Sequence, residues 1–214
     1  MNLEEELEVI GKISNGFKPM ELLADSIADR FTDEEIEKIS FKLFLSEVYQ
    51  RRMVAVFLFG KLAPKNNVVL DFMKKNVSKD DNWRVQEILG MAFDNFCKET
   101  GYEKALDTIK DWLTYKYCNT RRAVSEGLRI WTSRPYFKEN PDVAIKLLSE
   151  LKNDESEYVR KSCGNALRDI SKKCPEKIVS ELSDWQQSKE ELQIKKIILK
   201  NKKLGSYLKK DSLD

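Results

Sequence analysis

One short pattern recurs along this chain, and each copy stands at the start of an apolar segment. Every copy carries one or two cations close to an aromatic or polar residue. Four clear copies and a weaker fifth are Tyr49-Gln50-Arg51-Arg52-Met53, Trp83-Arg84-Val85-Gln86-Glu87, Thr120-Arg121-Arg122-Ala123, Tyr158-Val159-Arg160-Lys161-Ser162 and Gln193-Ile194-Lys195-Lys196. Arg51, Arg84, Arg121 and Arg160 follow one another at steps of 33, 37 and 39 residues. A chain that repeats itself at such a period stacks similar units along one axis.

This period predicts an all-α fold, an α-α superhelix of helical pairs of the HEAT or armadillo type. The chain has only 8 glycines and 5 prolines, which argues against a turn-rich β fold. Stacking places equivalent residues side by side, so the repeated arginines are expected to form a basic row on a concave face. Such a face favours a polyanion, most simply nucleic acid. Apolar spacing and capping residues predict helices at 3–14, 18–30, 33–46, 49–63, 66–77, 82–99, 102–115, 118–132, 141–152, 156–173, 175–187 and 191–202.

The charge distribution divides the chain. Residues 1–50 hold 5 Lys or Arg against 12 Asp or Glu, whereas residues 51–214 hold 33 against 24. We therefore expect an N-terminal helical capping region at 1–47, a ligand-binding repeat region at 48–204 and a flexible tail at 205–214, in a single domain overall. The acidic N-terminus resembles no signal peptide and no segment is apolar enough for a membrane span, which predicts a soluble, intracellular protein. If its basic face binds DNA, we expect it in the cytoplasm, associated with the nucleoid.

The absence of histidine restricts the chemistry that the chain can perform. It excludes Ser-His-Asp and Cys-His catalysis and zinc sites of the HExxH type. The four cysteines have no CxxC spacing, which predicts reduced thiols and no metal site. We expect no cofactor, so catalysis would rely on carboxylate, Lys or Tyr side chains or on bound water.

Trp83 and Glu87 lie four residues apart on a predicted helix and so share one face. A carboxylate repels phosphate, but it suits a positively charged substrate such as an N-alkylated purine. Breaking the N-glycosidic bond of that purine develops further positive charge on the deoxyribose, which a fixed carboxylate stabilises. The alternative is structural, with Glu87 paired to Arg84, Arg121 or Arg122.

Candidate substrate or nucleic-acid contacts lie in this repeat and the next two. They are Arg84, Arg121, Arg122, Glu126, Arg129, Trp131, Arg160, Lys161, Asn165 and Arg168. A bidentate guanidinium suits a phosphate, and the amide of Asn165 suits the backbone or a base edge. Glu126 is either a second acidic group, an orienting partner of Arg122 or half of an intrahelical pair. The aromatic and basic stretch from Trp131 to Lys138 either contacts nucleic acid or buries its rings in the core.

Over about residues 35–200, the chain resembles the bacterial DNA alkylation repair glycosylases built from HEAT-like repeats, the AlkC/AlkD type. Three stretches carry the resemblance, and the last is similar to a repeated helix of that family. They are Asn82 to Glu87, Asn119 to Gly127, and Tyr158-Val159-Arg160-Lys161-Ser162-Cys163-Gly164-Asn165-Ala166-Leu167-Arg168-Asp169-Ile170-Ser171-Lys172.

The resemblance implies a metal-free and cofactor-free DNA glycosylase that excises cationic 3-methyladenine or 7-methylguanine from duplex DNA. It implies that Trp83 and Glu87 form the catalytic pair and that Arg122 is the catalytic arginine of the next repeat. Two positions depart from the AlkD type, which has Asp in place of Glu87 and a second active-site Trp in place of Asn165. The pattern of Ser125-Glu126-Gly127 with Asn165, together with the stretch from Trp131 to Lys138, resembles the AlkC branch more closely.

Two other functions stay open from the sequence. One is a non-catalytic protein for branched or damaged DNA, and the other is a scaffold that binds an acidic protein. For each, a monomer is the expected form.

Overall fold

A computed structural model of the protein describes residues 2–204. They form thirteen α-helices and contain no β-strand, which confirms the predicted all-α class. The helices are α1 (Leu3–Gly11), α2 (Lys18–Arg30), α3 (Asp33–Phe44), α4 (Tyr49–Leu62), α5 (Asn67–Lys75), α6 (Trp83–Thr100), α7 (Leu106–Leu113), α8 (Cys118–Gly127), α9 (Pro135–Glu139), α10 (Pro141–Ser149), α11 (Glu157–Ser171), α12 (Pro175–Ser183) and α13 (Lys189–Ile198).

Short polar residues and prolines start several of these helices. The Thr32 hydroxyl accepts a hydrogen bond from the Glu35 backbone N–H, and the Glu35 carboxylate accepts one from the Thr32 N–H. This capping box satisfies amide groups that have no partner within the helix. Pro141 and Pro175 occupy the first positions of α10 and α12, where a missing N–H costs nothing.

The predicted helix at 118–132 is wrong at its C-terminal end. Helix α8 ends at Gly127, and a 3₁₀ turn at Trp131–Ser133 follows it before the short helix α9. Arg134 is extended because the ring of a following proline disfavours helical geometry. The stretch from Trp131 to Lys138, most of which lies outside the predicted helices, is therefore largely helical. The predicted flexible tail at 205–214 lies outside the described residues.

The described residues form two compact units that divide between Thr100 and Gly101. In the first unit, α4 is the central helix and packs against α2, α3 and α6. It is buried on nearly all sides from Met53 to Gly60, while Phe41, Phe44, Phe59 and Phe72 form a cluster of edge-to-face and tilted rings. The predicted N-terminal capping helices thus share a core with the first repeat. The predicted boundary at residue 47 stays a prediction.

Helix α11 is the corresponding central helix of the second unit and packs against α8 and α13. The hydroxyls of Ser125 and Ser162 lie 2.6 Å apart between α8 and α11, where both are buried. Trp131 is fully buried and meets Phe137 edge-on at 4.7 Å between ring centroids. The expected contact of Trp131 with DNA is therefore corrected, because its ring belongs to the core.

A repeated side-chain contact holds the turn before each of the helices α4, α6, α8 and α11. In four helices the fourth residue donates an N–H to the carbonyl oxygen six residues earlier, which lies in the preceding turn. The contacts join Arg52 to Ser46 (2.9 Å), Gln86 to Asp80 (2.7 Å), Arg121 to Tyr115 (2.7 Å) and Arg160 to Asp154 (2.6 Å). We call these four side chains the turn-binding residues. The repeat register thus runs through Arg52 and Gln86, and not through Arg51 and Arg84 as the sequence suggested.

The turn-binding arginines also bind side chains of the following repeat. Arg52 forms a bidentate pair with Asp80 at 2.7 and 3.1 Å, and Arg121 forms one with Asp154 at 2.6 and 2.9 Å. Arg160 donates to the Gln193 side chain at 2.8 Å. The predicted role of Arg121 as a DNA contact is corrected accordingly, since all three of its guanidinium nitrogens donate within the fold. Arg160 uses its Nε and Nη1 groups within the fold, and its predicted role as a DNA contact stays a prediction. Arg121 is only 8% exposed, and hydrogen bonding to Asp154 raises the pKa of its guanidinium.

In residues 2–204, the cysteines form no disulfide and no helix is suited to span a membrane. Cys97 and Cys163 are buried, whereas Cys118 and Cys174 are half-buried. Burial raises the pKa of the Cys163 thiol well above its ordinary value, so this group stays protonated. None of the helices in residues 2–204 combines the length and apolar character needed to cross a bilayer.

Gly60 allows α4 and α6 to approach closely. A β-carbon at this position would lie 2.8 Å from the Cα and Cβ atoms of Ala92. Because that contact is with backbone, we expect Gly60→Ala to lower the free energy of unfolding by about 1–3 kcal/mol. Gly11→Ala is the matched control, since its added carbon would meet Val48 at an ordinary 3.5 Å. Thermal denaturation followed by circular dichroism measures both, and equal melting temperatures would contradict the close-approach argument.

The Arg121–Asp154 pair has exposed side-chain fractions of only 9% and 6%. Asp154→Ala leaves a buried guanidinium without its counter-ion, so we expect a loss of about 3–5 kcal/mol in the free energy of unfolding. Asp142→Ala breaks the exposed pair with Lys177 and should cost no more than about 1 kcal/mol. Urea denaturation of both variants checks this contrast. An equally small loss in both would mean that the buried pair is not an essential support of the turn.

Candidate functional site

The start of α6 exposes an aromatic side chain. Trp83 is the first residue of this helix, and its surface is 54% exposed. Val85, Ile88 and Leu89 point into the core of the first unit, which turns Trp83 and Glu87 towards solvent. The loop before the helix is fixed in place, because the Asn82 side chain accepts a hydrogen bond from the Arg84 backbone N–H at 3.0 Å.

The Arg84 guanidinium contacts two aromatic rings. Its Cζ atom lies 4.4 Å from the ring centroid of Trp83 and 5.3 Å from that of Tyr49. Tyr49 begins α4, and its hydroxyl donates to the Ser14 carbonyl at 3.3 Å. Within residues 2–204, the Arg84 side chain forms neither an ion pair nor a hydrogen bond. A cation, an indole and a phenol thus form one cluster in the first unit.

Glu87 is exposed, and its carboxylate has no ion pair or hydrogen bond in the described part of the chain. The structural alternative, in which Glu87 pairs with an arginine, is therefore absent from residues 2–204. Arg84 contacts aromatic rings instead, and Arg121 is bound to Asp154. The carboxylate is left free to meet a ligand.

The repeat register shows that the charge of Glu87 is unusual. The residue after each turn-binding residue is Met53, Glu87, Arg122 or Lys161. Two of the three other repeats carry a cation at this place, and the third carries a buried methionine. An acidic group here contradicts a purely phosphate-binding surface.

In the second unit, α8 and α11 lie side by side and present polar side chains. Arg122, Asn165 and Arg168 are half-buried, and none of their side chains has a hydrogen bond or ion pair with another described residue. Lys161 is exposed and pairs with Glu157 at 2.7 Å. This pairing and a hydrogen bond from Lys161 lower the pKa of the Glu157 carboxyl. These three side chains, Arg122, Asn165 and Arg168, are therefore available to a ligand.

Two other predicted contacts are already engaged with neighbouring charges. Arg129 lies beyond the end of α8 and approaches Asp169 of α11 at 3.3 Å. Glu126 lies 3.9 Å from Arg129, so it partners Arg129 and not Arg122. The predicted role of Glu126 as an orienting partner of Arg122 is corrected by this contact.

Sequence reasoning missed Tyr49 and the two turn carboxylates, Asp80 and Asp154. Each carboxylate stands 28 or 33 residues after the arginine that it binds, and that recurrence was the available clue. Tyr49 gave no clue, because its contact with Arg84 depends on how α4 packs against α6. Within the described residues, no group of three or more acidic or cysteine side chains is placed to hold a metal ion.

Comparison with known proteins agrees with this arrangement. Residues 19–195 match the model of the family described as "DNA alkylation repair enzyme". The fold is similar to the crystal structure of AlkD2 from Streptococcus mutans, at 52% identity and a TM-score of 0.90, over 93% of this chain and 96% of that one. It is also similar to smu.31 from Streptococcus mutans UA159, at 50% identity and a TM-score of 0.86, over 92% and 96%.

Two other proteins are similar at lower identity or over a shorter stretch. AlkC, an alkylpurine DNA glycosylase from Pseudomonas fluorescens solved with DNA containing an abasic site analog, is 22% identical with a TM-score of 0.51, over 93% of this chain and 62% of that one. The uncharacterized protein YhaZ of Bacillus subtilis is 38% identical over 87 residues, 39% of this chain but only 24% of YhaZ. The match to AlkC shows the fold alone. With the family model covering most of its length, the chain belongs to the DNA alkylation repair enzyme family.

Proposed function

We propose that the protein is a DNA glycosylase that hydrolyses the N-glycosidic bond of cationic N-alkylated purines in duplex DNA. The observation that carries this proposal is Glu87, an exposed carboxylate without a partner at a repeat position where Arg122 and Lys161 stand in other copies. A surface that only held phosphates would gain nothing from an anion there. Membership of the DNA alkylation repair family supplies the substrate class.

In this proposal, Glu87 stabilises charge that develops during bond cleavage. As the bond from the sugar to the base breaks, its electron pair leaves with the base and C1′ becomes positively charged. The Glu87 carboxylate stabilises this oxocarbenium-like state and orients the water that attacks C1′. The positively charged base is already a good leaving group, so no protonation of the base is needed. Exposed Trp83, one helical turn before Glu87, contacts the cationic base or sugar through its ring.

Arg122, Lys161, Asn165 and Arg168 contact the sugar–phosphate backbone in this proposal. The support is that three of these side chains have no partner in residues 2–204 and the fourth is exposed. Arg121 and Trp131 are not included, because they stabilise the fold. We further propose that the protein acts as a monomer and associates with the nucleoid through its DNA substrate.

A second candidate is a protein that recognises damaged or branched DNA without cleaving it. Asn165 favours this alternative, since it stands where the AlkD type has a second active-site Trp. With one aromatic ring instead of two, the site has less surface to hold a base. Both candidates bind DNA, and only base release separates them.

Glu87→Gln tests the chemistry. It removes the charge while keeping the side-chain volume, so we expect base release to slow by about 10²-fold or more. Affinity for DNA should hold or rise, because a charge that repels phosphate is lost. The measurement is release of 7-methylguanine and 3-methyladenine from methylated duplex DNA, quantified by chromatography.

Glu99→Gln is the matched control, since it removes an exposed carboxylate from the same helix. It should excise bases at the wild-type rate. Excision at the wild-type rate by Glu87→Gln would contradict the role given to Glu87. No excision by the wild type, with DNA affinity retained, would favour the binding-only candidate.

Arg122→Ala tests the backbone contact of the second unit. We expect weaker binding of unmodified duplex DNA and a salt-dependence slope of the affinity that falls by about 0.9, the value of one lost phosphate contact. The melting temperature should stay unchanged, since Arg122 has no partner in residues 2–204. Fluorescence anisotropy titrations at several salt concentrations provide the slope. The control is Lys177→Ala, which removes an exposed cation that is already paired with Asp142; equal slopes for the two variants would contradict the Arg122 assignment.

A further inference from the structure

We propose that Arg84, held against the rings of Tyr49 and Trp83, is a preorganised binding group for one phosphodiester of the DNA backbone. This inference deepens the proposed function and depends on it for the identity of the ligand. It assigns the aromatic–cation cluster of the first unit a role separate from the chemistry at Glu87.

The charge of Arg84 has no counter-ion in the described part of the chain. Other arginines of the same unit are neutralised: Arg52 binds Asp80 bidentately, and Arg51 lies 2.6 Å from the Glu4 carboxylate. Arg84 is half-buried, and its guanidinium lies over the two rings. Even Glu87, three residues further along α6, does not pair with it. A fixed guanidinium without a carboxylate is a binding site for an anion that comes from outside the chain.

The ring contacts hold the guanidinium without using its hydrogen-bond donors. Cation–π attraction acts between the charge and the ring faces, so the N–H groups keep their capacity for an acceptor. None of those side-chain donors has an acceptor among residues 2–204. The planar donor edge of an arginine matches two oxygens of a phosphate, which makes the contact bidentate.

The surroundings of Arg84 limit its motion. Tyr49 is tied to the Ser14 carbonyl, and the Arg84 backbone N–H is tied to the Asn82 side chain. Asn82 is in turn fixed, because its own N–H donates to the Asp80 carboxylate at 2.9 Å. An arginine that is already confined loses less conformational freedom when it binds, and this raises its affinity for an anion.

This arrangement also sets the part of Trp83 that a nucleotide can reach. Arg84 lies over the indole ring at 4.4 Å and therefore occupies one face of it. The opposite face is the one left for a base or sugar. Arg84 thus combines a phosphate contact with the positioning of Trp83.

The test is the salt dependence of binding to unmodified duplex DNA, measured by anisotropy for the wild type and a set of variants. For Arg84→Ala we expect a slope that falls by about 0.9. For Arg84→Lys, which keeps the charge and loses the planar fork, we expect a wild-type slope and weaker binding. For Tyr49→Leu, which removes one ring and no charge, we expect the wild-type slope and an affinity lower by about two- to fivefold. Tyr49→Phe keeps the ring and should lose less affinity than Tyr49→Leu.

Arg30→Ala is the matched control. The guanidinium of Arg30 also lies over a ring, 5.8 Å from the Phe31 centroid, but it binds the Glu6 carboxylate at 2.7 Å. The variant changes the net charge as much as Arg84→Ala does, and its slope should match the wild type. A melting curve for each variant confirms that it is folded.

The outcomes separate this inference from the proposed function. If the wild type binds DNA and Arg84→Ala has an unchanged slope, or one equal to that of Arg30→Ala, the phosphate contact is overturned. If the slope falls as expected but the wild type releases no base, the contact stands and the glycosylase proposal fails. If the wild type does not bind duplex DNA at all, both are overturned.

Discussion

Four of the repeats depend on one contact, in which the fourth residue of α4, α6, α8 or α11 donates to the carbonyl six residues earlier. That carbonyl lies in a turn between helices, where the backbone has no ladder or helix to satisfy it. A side chain from the next helix satisfies it and fixes the angle at which that helix leaves the turn. Arg52 and Arg121 then extend the contact to an aspartate in the following turn. The exposed residues at the start of each helix owe their direction to this arrangement.

The positions of the helices were largely predictable, because residues close together in the sequence determine where each helix starts. Capping residues, prolines and apolar spacing determine where helices start, and each of the twelve predicted segments contains a helix. The exception followed Gly127, where a predicted helix continued but the chain instead makes a 3₁₀ turn and a short helix starting at Pro135. Apolar residues continue through that segment in the sequence. Only the packed structure shows that Trp131 leaves the helix to fill the core.

The role of the arginines was not predictable in the same way. A turn-binding arginine and a phosphate-binding arginine have the same side chain, and they differ only in whether an aspartate is packed nearby. Arg121 and Arg122 are neighbours in sequence, yet one is buried against Asp154 and the other has no partner in residues 2–204. In the first repeats, Gln86 replaces an arginine, which hid the register and made Arg84 look like its equivalent. The prediction for Glu87 does not depend on the repeat register, because the negative charge is a property of the residue itself.

The distribution of tryptophans gives the protein an internal optical reporter. Trp112, Trp131 and Trp185 are buried in the second unit, whereas Trp83 is more than half exposed beside Arg84. The buried indoles are shielded from collisions with a neutral quencher such as acrylamide, so quenching of the intrinsic emission is dominated by Trp83. A ligand that covers the start of α6 therefore changes the fluorescence of the unlabelled protein. Occupancy of that surface can be followed without attaching a dye to the protein or the DNA.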